Sequence, residues 1–175
     1  MSRPFRFPLL LLCSLALAAC GFHLRRSVAL PPAMQHVQIV VNGNSALQRN
    51  LARTLYASGV DVVDQAGPGI ALLDVTAAQF STESLSINGS AEVTEYAVRY
   101  HVAFHVTDGS GKLLVPEQQI DMSREYSYNP GDTVGSAAEV EELEQSLNDD
   151  MVQAILFRLQ AAAKHVSPAS AASAR

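Results

Sequence analysis

A strict two-residue alternation between residues 95 and 106 is the feature that most constrains how this chain can fold. Successive side chains of a β-strand point to opposite faces of its sheet, so six consecutive alternations predict a strand with one buried face and one polar face. The apolar parity is Tyr96, Val98, Tyr100, Val102, Phe104 and Val106, and the other is Glu95, Ala97, Arg99, His101, Ala103 and His105. The sheet that contains this strand is therefore expected to be covered on one side only.

Turn-forming residues on both sides of this strand predict that it pairs with its neighbours in sequence. Residues 88–89 (Asn-Gly) precede it and residues 108–111 follow it, and both segments are typical of connections between antiparallel strands. A preceding strand is predicted over 70–81, where both parities are apolar, as in the middle of a sheet. A returning strand is predicted over 112–128, and Pro116 interrupts its first part.

Two amphipathic helices are predicted outside these strands. The first covers 46–58, between a short strand at 36–41 and a short extended piece at 60–63, and its leucines recur every fourth residue. The second is a long C-terminal helix that begins near Ser136. Its apolar residues are separated by three or four positions, which makes a continuous stripe: Val140, Leu143, Leu147, Met151, Ile155, Leu159, Ala162 and Val166.

These elements predict an α+β fold in the order β-α-β-β-β-α. It is a two-layer sandwich in which two helices cover one face of a four-stranded, mostly antiparallel sheet. One domain is predicted over residues 20–166. The tail 167–175 is predicted to be disordered, because it has no large apolar side chain to bury.

The N-terminus has the pattern of an export signal. Arg3 and Arg6 precede an apolar stretch at 9–18, which is too short to cross a bilayer. The sequence Leu17-Ala18-Ala19-Cys20 resembles a bacterial lipobox, in which the cysteine is acylated and becomes the mature N-terminus. Residues 1–19 are therefore predicted to be a lipoprotein signal peptide and Cys20 the site of lipid attachment. The alternative is an ordinary signal peptide with a chance cysteine.

Composition narrows the functions open to the predicted mature chain. Removal of 1–19 takes two arginines away from 12 Lys and Arg residues, so ten basic residues remain against 17 acidic ones, a net charge of −7. Nucleic-acid binding requires basic surfaces, so no nucleic-acid partner is expected. No disulfide is expected either, because Cys13 leaves with the signal and Cys20 is predicted to carry lipid.

The polar parity of the long strand holds the strongest candidates for chemistry, Arg99, His101 and His105. Two histidines four residues apart on a strand are separated by roughly 13 Å, which is too far for one metal ion with ligand bonds near 2.1 Å. The acidic run within 139–144 is interpreted as a solvated helix start that suits the helix dipole. No catalytic residue, metal ligand or cofactor is therefore predicted, and the chain is expected to act by binding and not as an enzyme.

Three segments resemble the lipopolysaccharide-assembly lipoprotein family, LptE (also called RlpB). Cys20-Gly21-Phe22-His23-Leu24-Arg25 is similar to the start of the mature family members. Thr94-Glu95-Tyr96 opens the alternating strand as a Glu-Tyr does in the family, and Arg124-Glu125-Tyr126-Ser127-Tyr128-Asn129-Pro130 ends the last strand before the long helix. The resemblance implies an outer-membrane lipoprotein that fills the lumen of the LptD β-barrel from the periplasmic side, assists its assembly, and helps deliver lipopolysaccharide to the cell surface. Gly21, in place of an aspartate, also favours the outer membrane.

The resemblance also implies contact with lipopolysaccharide through basic residues near two segments, here 84–92 and 134–144. Neither segment contains Lys or Arg, so Arg99 and Arg124 are the candidates instead, and His101 joins them on the exposed sheet face expected to meet the barrel. Two other readings remain open. One is an auxiliary lipoprotein of another envelope transport complex, and the other is a lipoprotein enzyme.

Overall fold

The computed structural model describes residues 30–87, 89, 93–129, 131 and 133–172. Cys20 and the rest of the predicted signal and anchor lie outside these residues. A short 3-10 turn, Pro32–Met34, leads into the domain. The elements that follow are β1 (His36–Val41), α1 (Ser45–Ala57), β2 (Asp61–Val63), β3 (Ala71–Ile87), β4 (Val93–Thr107), β5 (Leu113–Ser127) and α2 (Thr133–Ala172).

The strands form one sheet in the order β2-β1-β3-β4-β5. The strand β1 runs parallel to both β2 and β3, whereas β3, β4 and β5 form two successive antiparallel pairs. The predicted fold class is confirmed, but the sheet has five strands and not four. The extended piece predicted at 60–63 is the additional edge strand β2, which has only three residues and is therefore too short to show a periodicity.

Both helices pack on the same face of the sheet. The helix α1 lies against β1 and β2, α2 lies against β4 and β5, and the two helices also contact each other. The leucine row of α1 and the apolar parity of β4 from Val98 to Val106 are fully buried. The helix α2 completes this core with Leu147, Met151, Ile155 and Leu159 of its predicted stripe and with the neighbouring Val152 and Leu156.

Two elements are longer than the sequence predicts. The strand β3 continues to Ile87 and not to residue 81, because its polar second half still pairs with β4 along the backbone. The helix α2 continues to Ala172, six residues into the segment for which disorder is predicted. Alanine has the highest helix propensity and is frequent there. The boundaries at 19/20 and 166/167 stay predictions.

Candidate functional site

The face of the sheet that neither α1 nor α2 covers is a polar surface, the open face. It contains the polar parity of β4 and the residues level with it on the other strands. Four cross-strand contacts between a side-chain nitrogen and a carboxylate lie on it: the ion pair of Arg99 with Glu83, and the contacts of His101 with Asp121 at 2.7 Å, His105 with Asp74 at 4.0 Å, and His36 with Asp61 at 2.9 Å.

The open face is predominantly acidic. Arg99 is its only Lys or Arg among the described strand residues, whereas the strands place six carboxylates there: Asp61, Asp74, Glu83, Glu95, Asp121 and Glu125. Three of the four contacts are solvent-exposed, and exposed pairs contribute little to stability, typically about 0–1 kcal/mol each. Only the His105–Asp74 contact is mostly buried. The exposed polar side chains make this face a candidate contact surface.

The three predicted contact residues do not share one surface. Arg99 and His101 lie two residues apart on the open face of β4. Arg124 has the opposite parity on β5, level with Val98, and so lies on the covered face. Its Nη2 atom donates to the Oδ2 atom of Asp150 on α2 at 2.7 Å. The sequence already indicated that Arg124 lies on the covered face, because Arg124 has the same parity as the apolar residues Ile120 and Met122.

The histidines of the open face do not form a metal site in the described part of the chain. His101 and His105 each face an aspartate on a different neighbouring strand. Among the described residues no three His, Cys, Asp or Glu side chains converge in a way that could hold a metal ion.

A groove that the sequence analysis did not predict lies between α1 and α2 on the covered side of the sheet. Its volume is about 580 Å³, and Phe80 of β3 forms part of its floor. The Phe80 ring stacks on Tyr100 of β4 with 3.9 Å between ring centroids and 14° between ring planes. The groove borders the start of α1 at Asn44 and the α2 face that holds Glu144 and Asn148.

A buried polar network supports one wall of this groove. The Nδ2 group of Asn44 donates to the Tyr100 hydroxyl at 3.0 Å, and this hydroxyl donates to Oδ1 of Asn148 at 3.4 Å. Burial raises the pKa of Tyr100 above its ordinary value, so the hydroxyl stays protonated and able to donate. Asn44 also caps α1, since its Oδ1 accepts from the Leu47 backbone N–H. The network therefore fixes the start of α1 relative to α2.

Most of the chain matches a known family. The family model for lipopolysaccharide-assembly proteins, LptE, matches residues 34–159. The chain belongs to the LptE family. An LPS-assembly lipoprotein LptE of Yersinia enterocolitica is 26% identical over 158 residues, which cover 86% of this chain and 73% of that protein. The resemblance expected from the three sequence segments is confirmed.

Two solved lipoprotein structures share the fold. An uncharacterized lipoprotein B of Nitrosomonas europaea is 28% identical with a TM-score of 0.66, over 78% of this chain and 88% of that one. The rare lipoprotein B of Shewanella oneidensis gives the same TM-score at 20% identity, over 75% of this chain and 98% of that one. In the part of the chain that the structure describes, no helix is both long and apolar enough to cross a membrane.

Proposed function

We propose that this LptE-family protein is a non-enzymatic, outer-membrane lipoprotein that binds in the lumen of the LptD β-barrel, assists its assembly, and helps deliver lipopolysaccharide to the cell surface. Membership of the LptE family is the observation that carries the proposal. The lipobox-like sequence at Cys20 supports a lipid anchor on the periplasmic side of the outer membrane. No catalytic residue, cofactor or metal takes part in this role.

The open face supports a role in the barrel, because the lumen of an outer-membrane barrel is polar. Arg99 and His101 project from the middle strand of the face and are its proposed contacts with the barrel or with lipopolysaccharide. Arg124 lies on the other side of the sheet, so any contact that it makes involves a second surface, next to α2.

Depletion of the protein in its native host tests the proposed function. We expect LptD to be misassembled and lipopolysaccharide to be lost from the cell surface, and a plasmid copy of the wild-type chain should restore both. Immunoblots of LptD in the outer-membrane fraction and surface labelling of lipopolysaccharide measure the two outcomes. Normal barrel assembly after depletion would contradict the proposal. Recovery of an inner-membrane transport complex in pull-downs, with no large barrel, would favour the other envelope complex.

Charge reversal at Arg99 tests the proposed contact face. Arg99→Glu places a second carboxylate beside Glu83, so we expect recovery of the barrel with the tagged protein to fall roughly tenfold, a change of about 1.4 kcal/mol. Arg124→Glu makes the same charge reversal on the other face, so comparing the two variants shows which surface contacts the barrel. Arg49→Glu is the matched control, because Arg49 is exposed on α1 and among the described residues hydrogen-bonds only to Ser45. Recovery equal to that of the control would remove Arg99 from the interface.

A further inference from the structure

The groove between α1 and α2 has an aromatic side chain, Phe80, in its lining. Tyr100 covers one face of the Phe80 ring. On the other side of β3 the neighbouring strand β1 ends, because its last residue, Val41, pairs with Val75, five residues before Phe80. After β1 the chain stays beside β3, since the Asn42 backbone N–H donates to the Val75 carbonyl and Gly43 lies near the Ala78 carbonyl. Phe80 lines the groove as a half-buried side chain.

The rim of the groove is acidic. Glu141 and Glu144 are three residues apart on α2 and point to the same side of that helix, and Asp149 lies farther along it. Among the described residues that line the groove, Arg53 of α1 is the only basic one. Within the described chain neither Glu141 nor Glu144 forms a hydrogen bond or an ion pair. Two carboxylates next to an aromatic ring are thus left without a cation.

The wall of the groove also presents an unused donor. Asn148 is only 5% exposed, and its Oδ1 atom accepts the Tyr100 hydroxyl. Its Nδ2 group has no hydrogen-bond partner in the described part of the chain. The Nδ2 group keeps some access to solvent, so a ligand in the groove can replace the water that it would otherwise bind. A backbone carbonyl of a bound peptide would supply an acceptor.

We propose that this groove binds an Arg or Lys side chain of a partner protein. The cation lies against the Phe80 ring and pairs with Glu144 and Glu141, and the adjoining backbone carbonyl accepts from Asn148. Cations within about 6 Å of an aromatic ring centroid are attracted to its face. The volume of about 580 Å³ leaves room for the side chain together with the adjacent backbone.

Charge distinguishes this occupant from the other two that an aromatic groove could take. An anionic ligand, such as a phosphate-bearing lipid or sugar, would meet three carboxylates and a single guanidinium. A neutral saccharide could stack on Phe80, but it would leave Glu141 and Glu144 unpaired. The inference goes beyond the proposed role in barrel assembly and does not depend on which protein carries the cation.

Peptide titration of the full-length lipoprotein in polyoxyethylene micelles tests the proposal. The probes are acetyl-Gly-Arg-Gly-amide and acetyl-Gly-citrulline-Gly-amide, which have nearly the same shape but differ in charge. With ¹⁵N-labelled protein, we expect saturable chemical-shift changes at Phe80, Gln145 and Asn148 with the arginine peptide. Binding of the citrulline peptide should be at least roughly fivefold weaker, since it lacks the charge that pairs with the carboxylates.

Two variants localise the binding, and a third is the matched control. Glu144→Gln and Phe80→Leu should each weaken binding of the arginine peptide several-fold, and each variant must keep the wild-type pattern of amide signals. Glu142→Gln removes the same charge from an exposed position on α2 that does not line the groove, and it should bind as the wild type does.

Three results would overturn the proposal. One is equal binding of the arginine and citrulline peptides, and another is equal weakening by Glu144→Gln and Glu142→Gln. The third is a response of the groove signals to maltotriose but not to the arginine peptide, which would make the groove a saccharide site. None of these results bears on LptD assembly, so the depletion experiment remains a separate test.

Discussion

Cys20→Ala is expected to transfer nearly all of the protein from the membrane fraction to the soluble periplasmic fraction. Each buried methylene of an acyl chain contributes about 0.8 kcal/mol, so one chain binds a membrane reversibly and two or more hold it durably. Alanine has no thiol to acylate, and among the described residues no helix is long and apolar enough to cross a membrane. Fractionation followed by immunoblotting measures the transfer, and mass spectrometry of the wild-type N-terminus identifies the lipid.

Cys13→Ala is the control for this change. Cys13 lies within the predicted signal peptide and should leave with it, so this variant should remain in the membrane fraction. Wild-type protein with an unmodified Cys20 thiol, or with a mature start at another residue, would contradict the predicted anchor. Continued membrane retention of Cys20→Ala would show that contacts with a membrane partner suffice without lipid.

The elements with a long periodicity could be predicted from the sequence. The alternation of β4 assigned its apolar parity to the core, and Val98, Tyr100 and Phe104 are fully buried there. The leucines at every fourth position predicted α1 over 46–58, and each observed end of the helix differs from this by one residue. Hydrophobic burial is the largest favourable contribution to folding, so a pattern that separates apolar from polar side chains over many residues determines the face of an element.

Periodicity gives the face of an element but not its neighbours. The chain passes from β1 to β2 through α1, and the parallel pairing of these strands leaves no signal in either strand alone. The three residues of β2 are too few to show a periodicity. The Asn44–Tyr100 hydrogen bond joins residues that are 56 positions apart, and the Phe80–Tyr100 stack depends on the register between β3 and β4. The groove therefore could not be predicted from single elements.

The same limit applies to the candidate site, where the sequence predicts a face but not the contacts across strands. The sequence indicated that Arg99 and His101 share a polar face, but their partners, Glu83 and Asp121, depend on strand register. The open face and the groove lie on opposite sides of the sheet, separated by the core. The two proposed contacts therefore involve different residues and can be tested by separate substitutions.

Ile155→Ala is expected to destabilise the domain by about 2–5 kcal/mol, because a buried aliphatic side chain is replaced by a small one and leaves a cavity. Ile155 lies in the apolar stripe of α2 and is 0% exposed. A domain of this kind has a total free energy of unfolding of about 5–15 kcal/mol, so the loss is a large fraction. Urea denaturation followed by circular dichroism measures the change in the unfolding midpoint.

Phe157→Ala is the matched control on the same helix. Phe157 is larger than Ile155 but 72% exposed, so its truncation should change the free energy of unfolding by no more than about 0.5 kcal/mol. The contrast measures the docking of α2 on the sheet, because both variants place alanine within one turn of the same helix. Equal destabilisation by the two substitutions would mean that Phe157 is also buried in solution. A negligible effect of Ile155→Ala would mean that the α2 stripe does not form the core with β4 and β5.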